Sequence, residues 1–190
     1  NNLPDSSNMC HESSSVALKE VIGIGKATVT LDDFQQTDAI FILGQNPGTN
    51  HPRMLATLQQ AARRGCQIVS INPLPEAGTT RFIHPQEAAH WLGKGTPIAT
   101  LHLPVTINGD VPLLKGIMKE LLIREEKDPG TILDLPFIQH HTEDFDNFAT
   151  RTRNISWETI EEGSGIGRED IHKAADIAVQ AKSIICTWAM

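Results

Sequence analysis

The sequence predicts an α/β domain of the Rossmann-like, doubly wound type, with a mostly parallel sheet and helices on both faces. Three observations carry this. Ala39-Ile40-Phe41-Ile42-Leu43 is a short, continuously apolar run bounded by turn residues, as expected of a strand buried on both faces. A glycine-containing loop follows it and leads into an amphipathic stretch at 51–64. A second apolar run at 66–72 comes next, completing a strand–helix–strand unit of the kind whose crossover is right-handed in nearly all proteins.

The elements can be justified in order. Ser13-Ser14-Ser15 can cap a helix over 16–22, which Gly23 and Gly25 stop. Thr30 or Asp32 can cap a short helical turn through Phe34. In the helix after the first strand, Pro52 suits the first turn and Gly65 the C-cap, with Met54, Leu55, Leu58 and Ala62 on one face. Pro73 and Pro75 end the second strand. A short helix is expected at 85–92 and a third strand at 98–103. A helix at 110–124 carries Val111, Leu114, Ile117, Met118 and Leu121 on one side, and a polar turn at 125–130 closes it. Helices near 144–151 and 168–181, a short one at 156–161 and a final strand at 183–188 complete the alternation. Residues 1–190 therefore read as a single domain.

Composition narrows the function. With 190 residues the chain can bury a core without disulfides. The net charge of -7 and scattered Lys and Arg exclude a general nucleic-acid binder. An aromatic fraction of 5% with no Tyr argues against a stacking platform for single strands. No apolar run approaches the roughly 18 residues of a membrane span. Three cysteines far apart, Cys10, Cys66 and Cys186, fit a reducing, cytoplasmic setting. Cys66 and Cys186 read as core thiols. A polar start without Met and a strand-like finish read as a fragment of a longer chain.

In such folds ligands bind beyond the carboxyl ends of the strands. The loop Gly44-Gln45-Asn46-Pro47-Gly48-Thr49-Asn50-His51-Pro52 marks one such end. Gly44 and Gly48 let backbone approach a ligand, Asn46 can donate and accept, and the next helix presents its N-terminal N–H groups to a pyrophosphate. Asn72-Pro73 marks the second, where a side chain commonly reads a ribose or base. The loop lacks the G-x-G-x-x-G fingerprint and any Walker pattern, which counts against an ordinary NAD site; a plain turn is the alternative. Cys10-His11 stands apart: a thiolate suits a transition metal, and His11 can accept a proton beside it. His140-His141 read as loop residues able to meet a ligand; His84, His90, His102 and His172 read as surface or packed residues.

In this order and at this separation, Asn8-Met9-Cys10-His11-Glu12-Ser13-Ser14, Gly23-Ile24-Gly25, Thr37-Asp38 and the loop at 44–52 resemble the formate-dehydrogenase-like branch of the molybdopterin oxidoreductases, in the dimethyl sulfoxide reductase superfamily. Asn72-Pro73, Asn108-Gly109-Asp110, the run at 137–145 and the Thr187-Trp188-Ala189-Met190 ending agree with that resemblance. The resemblance implies a catalytic-subunit fragment using a molybdenum bis(molybdopterin guanine dinucleotide). Cys10 matches the metal-ligating cysteine and His11 the neighbouring proton acceptor. Gly44, Asn46, Gly48, Thr49 and His51 match the loop holding the phosphates and ribose; Asn72 and Pro73 match the guanosine end; Asn108, Gly109 and Asp110 match a further loop of that site. Leu74 departs from the arginine common after the acidic-proline pair. The resemblance implies a small substrate such as formate, an electron-transfer partner and an iron–sulfur cluster outside the fragment. The isolated piece, with one wall of the cofactor site, is expected to be inactive and metal-free. The competing reading is a non-catalytic nucleotide-binding or subunit-interaction domain.

Overall fold

A computed structural model describes residues 6–88, 93 and 95–188, and the side chains of all these except positions 6, 7, 9 and 10. The central sheet has four strands: β1 (Ala39–Leu43), β2 (Gln67–Ile71), β5 (Leu101–Leu103) and β6 (Ile184–Trp188), in the order β5-β2-β1-β6. All three pairings are parallel, with Ile40 opposite Ile68 on one side and Ile185 on the other. A two-stranded antiparallel ribbon, β3 (Arg81–Phe82) with β4 (Thr96–Pro97), lies apart from it.

Strand side chains alternate between faces, and so the sheet supports two cores. Ile40, Ile42, Ile68 and Ile185 pack with Phe34 and with Leu58 and Ala61 of α3 (Pro52–Arg63). Ala39, Phe41, Val69, Ile71 and Leu103 pack on the other side. There they meet Leu113 and Ile117 of α5 (Asp110–Lys127), Ile160 of α8 (Trp157–Ser164), and Ile171, Ala174 and Ala175 of α9 (Arg168–Gln180). Each fully buried isoleucine contributes about 1.5–3 kcal/mol relative to exposure. The doubly wound parallel architecture expected from the sequence is present.

Several local expectations need correction. The first helix, α1, spans Ser6–Ile22, so Ser13-Ser14-Ser15 lie in its interior and Cys10-His11 within it. Serine costs a helix only a few tenths of a kcal/mol, and the run carries on into Val16-Ala17-Leu18. The short turn through Phe34 (Asp33–Gln35) has Asp32 at its N-cap, one of the two expected residues, but with no side-chain cap bond; Asp33 instead holds the turn, its carboxylate accepting from the Thr30 N–H and hydroxyl. The third strand begins only at Leu101. Ile98 and Ala99 donate to Thr80 and Thr79 carbonyls, and the Thr100 hydroxyl takes a ladder position against Ile68.

The turn expected at 125–130 begins after Lys127. Glu125 stays helical because its carboxylate accepts from the Gly130, Ile132 and Leu133 N–H groups and folds the following chain back onto α5. His140 and His141 are exposed on a helix, α6 (Leu135–His141), not in a loop; Asp134 caps it through the Phe137 N–H. Residues 85–86 form a turn, and the second half of the helix expected at 85–92, with His90, lies outside the described residues. Cys66 is buried, but Cys186 is exposed, because β6 pairs only with β1 among the described residues. Helices α7 (Phe145–Asn154) and α9 fall near their expected positions.

Candidate functional site at the switch point of the sheet

The chain leaves β1 toward the α3 face and enters β6 from the α9 face. The winding direction therefore reverses between β1 and β6, and a crevice opens beyond their carboxyl ends, where doubly wound folds bind ligands. Leu43 and Trp188 are register partners at that end. Gly44 follows with φ 60, a left-handed turn that glycine adopts without strain. A Cβ there would meet nothing within 4 Å, so the backbone is open to a ligand.

The next residues fold into a single helical turn, α2 (Pro47–Asn50), capped by Asn46. Asn46 Oδ1 accepts from the Thr49 N–H at 3.1 Å, and Asn46 Nδ2 donates to Glu76 Oε2 at 2.7 Å. Glu76 lies in the loop after β2 and caps another short turn, α4 (Ala77–Thr80). The two loops touch at backbone level: a Cβ on Gly78 would lie 2.8 Å from the Gly48 Cα and N. A side chain at 78 would collide with that backbone, and one at 48 would sit tightly, 3.2 Å from the Gly78 Cα; the paired glycines permit this approach, which draws the ends of β1 and β2 into one surface.

Gln45, a buried side chain, links three elements. Its Oε1 accepts from the Thr187 hydroxyl of β6 at 3.2 Å. Its Nε2 lies 3.2 Å from His51 Nδ1 and 3.4 Å from Met54 Sδ. Since an amide N–H donates, His51 Nδ1 is the acceptor and the neutral ring carries its proton on Nε2. His51 is exposed, so this Nε2–H is a donor at the rim.

Asn72 is also buried, but its Oδ1 accepts from the Leu74 N–H at 3.2 Å in a local turn. Pro73 is exposed. Beyond β5, Asn108 adopts φ 64, Gly109 caps α5, and Asp110 opens that helix. This third loop is tied to the end of α8 through the Thr106 N–H and hydroxyl, which donate to Ser164 and Gly163 carbonyls. Because the strands are parallel, all three sequence-marked loops lie along one edge of the sheet.

The cysteine helix reaches the same edge. Trp188 Nε1 donates to Ser14 Oγ at 3.1 Å, and Ser14 is one helical turn beyond Cys10. His11 is exposed on this helix. A groove of about 430 Å³ runs between α1 and β6, lined by Leu18, Ile22, Phe34, Ile185, Cys186 and Trp188 among others. Among the described residues no group of three or more His, Cys, Asp or Glu is placed to hold a metal ion.

The sequence reading assigned no role at the site to Ser14, Gln45, Glu76 or Trp188, although Ser14, Gln45 and Trp188 lie within stretches it marked. A glutamine after a buried strand carried a faint signal, as did a glutamate five residues past the end of another; the Ser14–Trp188 contact spans 174 positions and left none.

Fold and site together define a doubly wound α/β domain whose switch-point crevice is built from glycine-bearing polar loops. The chain is homologous to a segment of oxidoreductases that include formate dehydrogenase H and nitrate reductase. It is 43% identical over all 190 residues to an uncharacterised oxidoreductase of Mycobacterium tuberculosis, covering 24% of that protein. It is likewise 43% identical over 192 residues to protein YdeP of Escherichia coli, with 98% of this chain and 25% of that protein aligned. Formate dehydrogenase H of E. coli is 25% identical over 190 residues, all of this chain and 23% of the enzyme. The chain thus spans about a quarter of the length of these relatives. Among solved structures, acetylene hydratase from Pelobacter acetylenicus superposes with a TM-score of 0.64 at 19% identity, covering 82% of this chain and 18% of that one, a likeness of fold. No protein-family model matches the chain. No helix among the described residues is long and apolar enough to cross a membrane.

Proposed function

We propose that this chain is part of the catalytic subunit of a molybdopterin-dependent oxidoreductase, contributing the molybdenum-ligating Cys10 and one wall of a guanine dinucleotide site. The observation that carries it is the meeting of two separate motifs. The Ser14–Trp188 hydrogen bond brings the helix bearing Cys10 and His11 to the sheet edge where the loops at 44–52 and 72–76 lie.

The residues fit such a group. The Gly44 backbone is open, and Thr49 and His51 present polar groups at the rim. The Gly48–Gly78 approach joins two loops into a continuous cradle. In this reading Gly44, Gly48, Thr49 and His51 seat phosphate and ribose, with Asn46 fixing the loop. Asn72 and Pro73 border the guanosine end, and Asn108, Gly109 and Asp110 form the outer edge. When bound, the molybdenum–pterin group supplies the redox chemistry, while the protein supplies orientation and electrostatics. Cys10 ligates as the thiolate, and His11 accepts a proton from a small substrate such as formate on a ring nitrogen. This reading also calls for an electron-transfer partner to take up the electrons that the bound group would receive.

The test is made on the full-length protein. Molybdenum and the guanine nucleotide released by acid hydrolysis are quantified together. Stoichiometric metal with two guanine nucleotides per metal supports the assignment, and a protein from a cofactor-competent host that holds neither overturns it.

A further inference from the structure

We propose that Glu76 reads the sugar of the bound nucleotide, accepting hydrogen bonds from its vicinal 2′ and 3′ hydroxyls; this rests on the dinucleotide reading above. In doubly wound folds a carboxylate at the end of the second strand commonly takes this role. Here the strand-end residue is Asn72, which is neutral and whose side-chain oxygen is engaged by the Leu74 N–H. Glu76 is the next carboxylate along the same loop.

Its position is built from both sides. The Glu76 carbonyl accepts from the N–H groups of Thr79 and Thr80 and from both of their hydroxyls, which fixes its backbone. Two residues on, Gly78 packs directly on Gly48 of the first loop. Glu76 Oε2 is held by Asn46 Nδ2, the same side chain that caps α2 through Thr49. The carboxylate is therefore fixed at the seam between the two loops, half-buried, at the carboxyl edge of the sheet. Its Oε1 has no protein donor among the described residues.

An ionised carboxylate only accepts, so a ligand must offer donors to it. Phosphate oxygens are anionic and are repelled; a vicinal diol offers two adjacent O–H groups, matching a carboxylate edge. Hydrogen bonds to a charged acceptor are about twice as strong as neutral ones, so loss of the diol costs about tenfold in affinity.

The experiment uses full-length protein purified from a host unable to make the pterin cofactor, titrated calorimetrically with GDP and with 2′,3′-dideoxy-GDP. Wild type is expected to prefer GDP by about tenfold. In Glu76→Gln, whose side-chain oxygen can still accept from Asn46, the preference falls to within about twofold, and dideoxy-GDP binding is unchanged. Glu76→Ala, with urea unfolding as the check on folding, loses the preference as well. A tenfold preference retained in both variants overturns the assignment of Glu76 and leaves the dinucleotide reading intact. Wild type that binds neither nucleotide overturns that reading and this proposal with it.

Discussion

Trp188, at the end of β6, donates its indole N–H to the Ser14 hydroxyl of the first helix at 3.1 Å. This one bond spans almost the whole chain and sets the cysteine helix against the switch point. Much of α1 is otherwise exposed, with Val21 80% accessible, so its placement depends on few contacts. Trp188→Phe keeps most of the ring and removes the donor. Loss of about 1 kcal/mol is expected. Amide exchange in α1 should rise about fivefold while the β1 and β2 amides stay unchanged. Equal exchange in α1 would show that the bond does not hold the helix.

Gly78→Ala should be far more costly than its size suggests. The added Cβ would lie 2.8 Å from the Gly48 backbone, which has no flexible end to move aside. Destabilisation of about 1–3 kcal/mol is expected in urea unfolding, together with weaker guanine nucleotide binding. Neutral behaviour in both measurements would contradict the close approach of the two loops.

Much of this architecture was legible in the sequence. The Ala39–Leu43 strand is marked by an unbroken apolar run between turn residues, and the α3 helix by its spacing and its Pro and Gly boundaries. The glycine loop was legible as a turn beyond a buried strand, while the approach of Gly78 to Gly48 left no signal in the sequence. Other features depend on side chains that act as backbone. The Thr100 hydroxyl replaces a ladder bond and shortens β5, and the Glu125 carboxylate replaces helical partners for three N–H groups. The α6 helix did leave a signal, Asp134 as cap with Pro136 in the first turn, that hydrophobic periodicity over seven residues is too short to reinforce. The Asn46–Glu76 bond joins loops 30 positions apart and becomes visible only once the strands pair.

Glu125 gives an acid limit with a defined sign. Hydrogen bonds from the backbone N–H of Gly130, and then of Leu133 and Ile132, hold its carboxyl below the ordinary 4.5. A folded-state pKa below the unfolded value means its stabilisation is fully present above about pH 4.5 and is lost as pH falls through the lowered folded value. Glu125→Gln should be less stable than wild type at neutral pH, and the gap should close on acidification. A gap independent of pH between 6 and about 3 would contradict this role.

The two cysteines of the sheet region should differ in reactivity. Cys66 is buried beneath α3; desolvation pushes its thiol above the ordinary range, and that of Cys186 as well, so the difference in reactivity comes from access to the sulfur. Cys186 is exposed on β6. In a Cys10→Ala background, maleimide at neutral pH should label Cys186 in the native protein and Cys66 only after unfolding. Native labelling of Cys66 would contradict the packing of that face.

The proposal that the cysteine helix and the switch-point loops serve one metal-bearing group is tested most directly by X-ray absorption at the molybdenum edge of the full-length protein. Wild type should show one more sulfur ligand than Cys10→Ala, and the variant should lose turnover while keeping its guanine nucleotides. Identical spectra and unchanged turnover in the two proteins would contradict the assignment of Cys10, and with it the functional reading of the crevice.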